Sequence, residues 1–415
     1  MMAFRREHLT PIIRDIILGT LTCAAFTAHV PGTLTYLLPD GFSSNYQSFL
    51  GHTSTSDPNI QAIFSTAADS VATCYTPFTA PFCETVLKPQ LVADWPGSGA
   101  FFEGGIYIPR LHEVWFTSSY AKYPTPGYIT AYNLSTSTFR HIPQIAYGAG
   151  GIYNPNDDKV YIGAIPPTPG VIAIDPETLS TTTIFNSYFG LEFSCADDLV
   201  WVTQPDPTDG ERNNTTSRGG RSYMFFTHFY SPLEPDGPVV PINRPVQLPN
   251  GVWRWDPAEK TLRPVISRLD IPIPNGIRVS PDHRTLYITD SLSIEAGGSA
   301  HGSSGYAPTA GPNVYAYDLD DEMLPVNRRV FSIARSGYPD GIHIDDEGRV
   351  WTAEGEGIVV RSPRGTTLAL FSQRAFGMEE GQIANFGLAN DSLLVAAMDR
   401  LYVVRLGMVV AKGQT

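Results

Sequence analysis

The stretch "IPNGIRVSPDHRTLYITDS" (residues 273–291) has a distant counterpart, "GYPDGIHIDDEGRVWTAEG" (337–355). Each sets an amide or acid, Asn275 or Asp340, before a glycine and a short alternating apolar run. A polar turn and a second apolar run follow. Period-two alternation between turn residues reads as a pair of antiparallel strands. Working outward, the same layout recurs along the chain beyond about Phe101. Leading strands stand in "GGIYIPRLH", "GGIYNPNDD", "DDLVWVT", "NGIRVSPDHR", "DGIHIDDEG" and "NFGLAND". Second strands stand in "EVWFTSS", "KVYIGAI", "YMFFTHFYS", "TLYITDS", "RVWTAEG" and "SLLVAAM". Several units add a third, such as "YITAYNL", "GVIAIDPETL" and "GVWRWDPAEKTL". A unit restarted six times with no helix-period stretch between predicts an all-β, six-bladed β-propeller with an N-terminal extension. A two-sheet sandwich is the competing architecture, but it has no reason to restart one pattern.

Bulk properties agree. Of 415 residues 42% are hydrophobic and only 17% charged, so core material is ample. With 37 Gly and 35 Pro, turn formers suit many short strands. A formal charge of -13 and no clustered Lys or Arg argue against nucleic acid as a partner.

Residues 1–28 carry Arg5 and Arg6 ahead of an apolar run from Ile16 to about Ala28, the pattern of a signal peptide. The run is too short to span a bilayer, so no membrane is expected for the mature form. Arg14 and Asp15 interrupt the approach to the run, which leaves a frayed N-terminal helix as the alternative. Sequons at Asn133, Asn213, Asn214 and Asn390 fit a secreted glycoprotein and also arise by chance. Cys74 and Cys83 are close enough to close a small disulfide loop, with Cys195 left as an odd thiol. Residues 29–99 read as an extension that supplies an outer strand closing the ring, pinned by that disulfide. Residues 100–415 form the propeller.

In a propeller the leading strand of each unit lines the central channel, so the residue just ahead of it sits at the channel mouth. Those positions are Glu103, Gly150 or Gly151, Asp197, Asn275, Asp340 and Asn385. Carboxylate and amide oxygens converging on one axis suit a hard divalent cation, with Ca2+ the natural choice. The plainer reading is that Asn-Gly and Asp-Gly are turn dipeptides, although Glu103 is not a turn former. Asp198, next to Asp197 on a strand, is expected to face away.

These residues also carry a resemblance. "FFEGGIYIP", "FSCADDLV", "NGIRVSPDHRTLYITDS" and "PDGIHIDDEGRVW" resemble the senescence-marker-protein and gluconolactonase family, particularly fungal secreted lactonohydrolases, from about Phe101 to the C-terminus. The resemblance implies metal ligation by Glu103, Asn275 and Asp340, and Asp197 as the residue that positions or deprotonates a water. It departs from the family in the polar insertion after Val202 and in His228, where many relatives have Asp.

The implied chemistry is opening of a small lactone, with carbonyl polarisation by the ion and attack of an activated water. Asn385 and His343 are the expected substrate contacts, with a core role the alternative for His343. Signatures of serine hydrolases, zinc proteases and nucleotide enzymes are missing from the sequence. Cys195 beside acids reads as a structural thiol rather than a nucleophile. Two other functions stay open: a different metal-assisted reaction on this fold, and a non-catalytic binding propeller. The long loops after Ser291 and Ser231 are expected at the mouth.

Overall fold

A computed structural model describes residues 26–43, 49–50, 53–119, 127–205, 220–230, 246–292, 311–379 and 381–413. Residues 1–25, the sequons at Asn213 and Asn214, and most of both long loops lie outside them.

The chain forms a six-bladed β-propeller of four-stranded antiparallel blades. Blade 1 runs Glu103–Ile108, Glu113–Thr117, Ile129–Asn133 and Thr138–Ile142. Blade 2 is Gly148–Asn154, Lys159–Ala164, Gly170–Ile174 and Thr181–Phe185. Blade 3 comprises Ala196–Thr203, Ser222–His228, Gly251–Asp256 and Thr261–Ser267, and blade 4 Pro274–Val279, Thr285–Asp290, Asn313–Leu319 and Pro325–Ile333. Blade 5 has Ile342–Ile344, Val350–Glu354, Gly357–Arg361 and Thr367–Ser372. Blade 6 takes Phe386–Ala389, Ser392–Ala397 and Arg400–Arg405 from the end of the chain and borrows its outer strand, Gln90–Asp94, from ahead of blade 1. The borrowed strand is the closure expected within 29–99.

Both faces of the inner strands are buried because each blade packs on its neighbours. Ile106 and Trp115 of blade 1 share a cluster with Tyr153 and Ile162 of blade 2. Fully burying such a side chain is worth about 1.5–3 kcal/mol. The turn from third to outer strand reuses one device. The side-chain oxygens of Asn133, Asp175, Asp256 and Asp320 accept backbone N–H bonds two to four residues on. In Asn133 the amide nitrogen also donates to Leu111 O at 2.9 Å, so this sequon is part of a turn. Asn390, exposed in the turn between the first two strands of blade 6, has φ 56°.

The extension does more than close the ring. Thr27–Pro31 pairs in parallel with Ala72–Thr76, which in turn pairs with Thr367–Ser372, so blade 5 becomes a six-stranded sheet. A leader reaching residue 28 would take Thr27 and Ala28 out of that strand. Cys74 and Cys83 are disulfide-bonded. The bridge does not pin the ring-closing strand; it fixes the added edge of blade 5, with Phe82 against Trp351 and Phe371. Between the added strands lies a helix, Pro58–Asp69, which the sequence reading missed. Its signal was present: Asp57 Oδ1 caps Asn59 N and Ile60 N, and Pro58 stands at the first turn. Among the described residues no helix is long and apolar enough to cross a membrane.

Candidate functional site

The mouth positions stand at the starts of the inner strands, and contacts link four of the six blade junctions, from blade 3 round to blade 1. Asp198 of blade 3 accepts Ile277 N of blade 4 at 3.1 Å, two residues past Asn275. Thr289 Oγ1 bridges Gly276 O and Asp340 O, at 3.4 and 2.8 Å, joining blade 4 to blade 5. A Cβ on Gly276 would lie 2.5 Å from Asp340 O, so only glycine permits this approach. Gly341 N donates to Ala384 O at 2.8 Å, and Asn385 Nδ2 donates to Glu103 Oε2 at 2.9 Å, which closes blade 5 to 6 and 6 to 1. Glu103, Asp197, Asn275 and Asp340 are all buried.

The second blade contributes no oxygen-bearing side chain, for a steric reason. A Cβ on Gly150 would meet Asp198 Oδ1 at 2.7 Å. This corrects the expectation that Asp198 faces away. A bulge between Ala196 and Leu199 breaks the alternation, and both Asp197 and Asp198 are buried. Asp198 pairs with the equally buried Arg278 at 2.6 Å.

Asn385 and His343, expected at the substrate, also make contacts within the protein. Asn385 Oδ1 accepts from Phe386 N at 2.9 Å and lies 3.2 Å from His343 Nε2, while its amide holds Glu103. His343 is fully buried, its ring 4.8 Å from that of Phe386. It packs against Asn385 and Phe386 of the next blade. His228 accepts Ser194 N through Nε2 and places Nδ1 3.2 Å from Pro249 O; burial pushes its pKa down to about 4, so it is neutral and structural.

Electrostatics at the mouth are dominated by acid. Burial, then the Asp340 charge, pushes Glu103 well above the usual carboxylate range, opposed by the Asn385 hydrogen bond. Burial, then Glu103 and Asp198, does the same to Asp197. Cys195 is half-buried, and desolvation plus the Asp197 and Glu103 charges hold it as a thiol. Among the described residues no three His, Cys, Asp or Glu side chains form a ready metal cage. Charge coupling joins Glu103 to Asp340 and Asp197 to Glu103, and Asn275 is buried at the start of the blade 4 inner strand. Buried carboxylates whose pKa is raised by burial and by neighbouring acids are the environment a hard cation relieves, so the donor chemistry fits an oxygen-liganded divalent ion.

At the opposite end of the channel a cavity of about 520 Å³ is lined by Ile152, Val200, Val279, His283 and Asp345 among others.

Comparison with known proteins agrees with the fold. A gluconolactonase of Zymomonas mobilis is 24% identical over 62% of this chain and 63% of its own length. A lactonohydrolase of Aspergillus oryzae is 25% identical over 64% and 66%. The chain thus spans a little under two thirds of the length of these curated relatives. A gluconolactonase structure from Xanthomonas campestris superposes with a TM-score of 0.53 at 17% identity, over 76% of this chain and 89% of that one. The family model described as SMP-30/Gluconolactonase/LRE-like region matches residues 299–375. In its propeller and in these relatives, the chain is similar to the SMP-30/gluconolactonase/LRE-like family.

Proposed function

We propose that this chain is a secreted, metal-dependent hydrolase that opens a small lactone. The observation that carries the reading is that Glu103, Asp197 and Asp340, buried and coupled by charge, come from three different blades, with Asn275 buried at the equivalent place in a fourth. Relatives named gluconolactonase and lactonohydrolase support the substrate class. Glu103 and Asp340 would hold the ion with two negative charges, and Asn275 would add a neutral oxygen. An all-oxygen set favours Ca2+. When bound, such an ion supplies Lewis acidity to the carbonyl that is attacked.

Asp197 does the proton work in this reading. Burial, then Glu103 and Asp198, raises its pKa, which makes it a stronger base, and it takes a proton from the attacking water at a carboxylate oxygen. Asn385 keeps Glu103 oriented, and His343 keeps Asn385 oriented. The Cys74–Cys83 bridge supports an oxidising, extracellular destination. Leader removal no later than Phe26 would leave the Thr27–Pro31 strand whole, which N-terminal sequencing of secreted protein checks.

The test combines calcium titration with assays on a panel of aldonolactones. Glu103→Gln and Asp340→Asn are expected to abolish ion binding and turnover. Asp197→Asn keeps the ion and loses about 100- to 10,000-fold in kcat. Full activity after exhaustive chelation overturns the metal role. Ion binding without turnover on any lactone points to another metal-assisted reaction on this fold; neither binding nor turnover points to a non-catalytic propeller.

A further inference from the structure

One buried cation lies in the channel below the mouth. Arg278 is only 2% exposed, and its Nη1 reaches Asp198 Oδ2 at 2.6 Å, Ile277 O at 2.7 Å and Leu199 O at 3.4 Å. Nη2 lies 3.5 Å from Gly151 O. A single guanidinium therefore touches the inner strands of blades 2, 3 and 4. Asp198 is held from every side: Oδ1 accepts Leu199 N at 2.9 Å, Oδ2 accepts Ile277 N, and its own N–H donates to Thr227 Oγ1 at 3.0 Å. Further along the same three strands, Ile152, Val200 and Val279 line the far cavity, so Arg278 lies between the mouth and that cavity.

We propose that Arg278 and Asp198 form a positioning pair that fixes the candidate ion site. Asp198 directly follows the proton-moving Asp197. Through Ile277 N it holds the strand start that carries Asn275. The pair thus sets the spacing between a blade 3 base and a blade 4 ligand. A planar fork with several donors suits this task, whereas a lysine ammonium could not span the same acceptors. The inference rests on the ion-site reading and adds residues outside its ligand set.

A role through charge alone predicts the opposite sign. Arg278 is a cation near a dication site, so removing its charge would tighten ion binding. A positioning role predicts weaker binding even when net charge is conserved. The experiment titrates wild-type protein with Ca2+, Mg2+, Mn2+ and Zn2+ by calorimetry and repeats the tightest ion on variants at a temperature well below unfolding. Arg278→Met/Asp198→Asn, which leaves net charge unchanged, should bind at least tenfold more weakly, with kcat lowered more than KM is raised. Arg278→Lys should recover part of the loss relative to Arg278→Met. Should the methionine variants fail to fold, the charge-conserving Arg278→Lys carries the test, expected to weaken binding, with wild-type affinity overturning the positioning role. Wild-type affinity in the double variant, or tighter binding in Arg278→Met, overturns the positioning role while leaving the ion site intact. A purely structural role lowers the melting temperature without moving affinity. Wild-type protein that binds none of the four ions removes the ion-site reading, and this inference with it.

Discussion

Replacing Asn385 with leucine separates support of Glu103 from contact with a substrate. The side chain makes three contacts, to Glu103 Oε2, Phe386 N and His343 Nε2, and is 1% exposed. Losing a hydrogen bond to a charged acceptor costs about 1.5–3 kcal/mol. A buried N–H left without an acceptor costs about 1–3 kcal/mol more, and that applies to Phe386 N and to the imidazole. Leucine has similar bulk and returns about 2 kcal/mol of apolar burial. The expected net loss is therefore about 1.5–7 kcal/mol, a large part of the roughly 5–15 kcal/mol a domain has. The carboxamide also opposes the upward pKa shift of Glu103, so its removal should make ion binding weaker at a given pH. Urea unfolding in chelator, followed by calcium titration of the folded variant, reads both effects. A variant as stable as wild type, with unchanged ion affinity and a raised KM, would refute the reasoning and return Asn385 to the substrate.

Other outcomes follow from the same geometry. Glu103 and Asp197 have raised pKa values in the folded state, so without ion the native form binds more protons than the unfolded chain above the ordinary carboxylate value of about 4. Ion-free stability should therefore fall as pH rises through that window, while ion affinity should rise and binding release protons; calorimetry in two buffers measures this, and affinity constant from about pH 5 to 8 would contradict it. Replacing Cys74 and Cys83 together with serine opens a loop of sequence separation 9 and should cost about 2.5 kcal/mol of stability, read by urea unfolding, with ion affinity unmoved because the bridge lies on the outer edge of blade 5.

Much of the fold was written in local pattern. Each unit repeats an alternating strand and a polar turn, and both depend on short-range chemistry that a sequence displays. The equivalent placing of Glu103, Asn275 and Asp340, each buried at or just before the start of an inner strand, was legible for the same reason: equivalent places in equivalent units come to equivalent positions once a ring closes. What escaped was set by neighbours distant in sequence. Asp198 turns inward because a bulge breaks the alternation and because Arg278, 80 residues away, receives it. His343 was assigned by its strand position, but its partner Asn385 comes from the next blade. The parallel strand Thr27–Pro31 has no repeat to announce it, and its pairing with Ala72–Thr76 exists only across the intervening helix.

The sixth blade sets the order in which the molecule can be finished. Gly97 and Gly99 donate to the carboxylate of Asp399 at 2.6 and 2.7 Å, contacts made across 302 and 300 residues. On a ribosome adding about 5–20 residues per second, Gln90–Asp94 emerges on the order of 15–60 seconds before the segment it must join. Throughout that interval a nascent chain presents an unsatisfied backbone edge, the feature most prone to sticking to another copy. Trimming the last strand would make that transient hazard permanent, so the C-terminal hairpin acts as the clasp on which soluble yield depends.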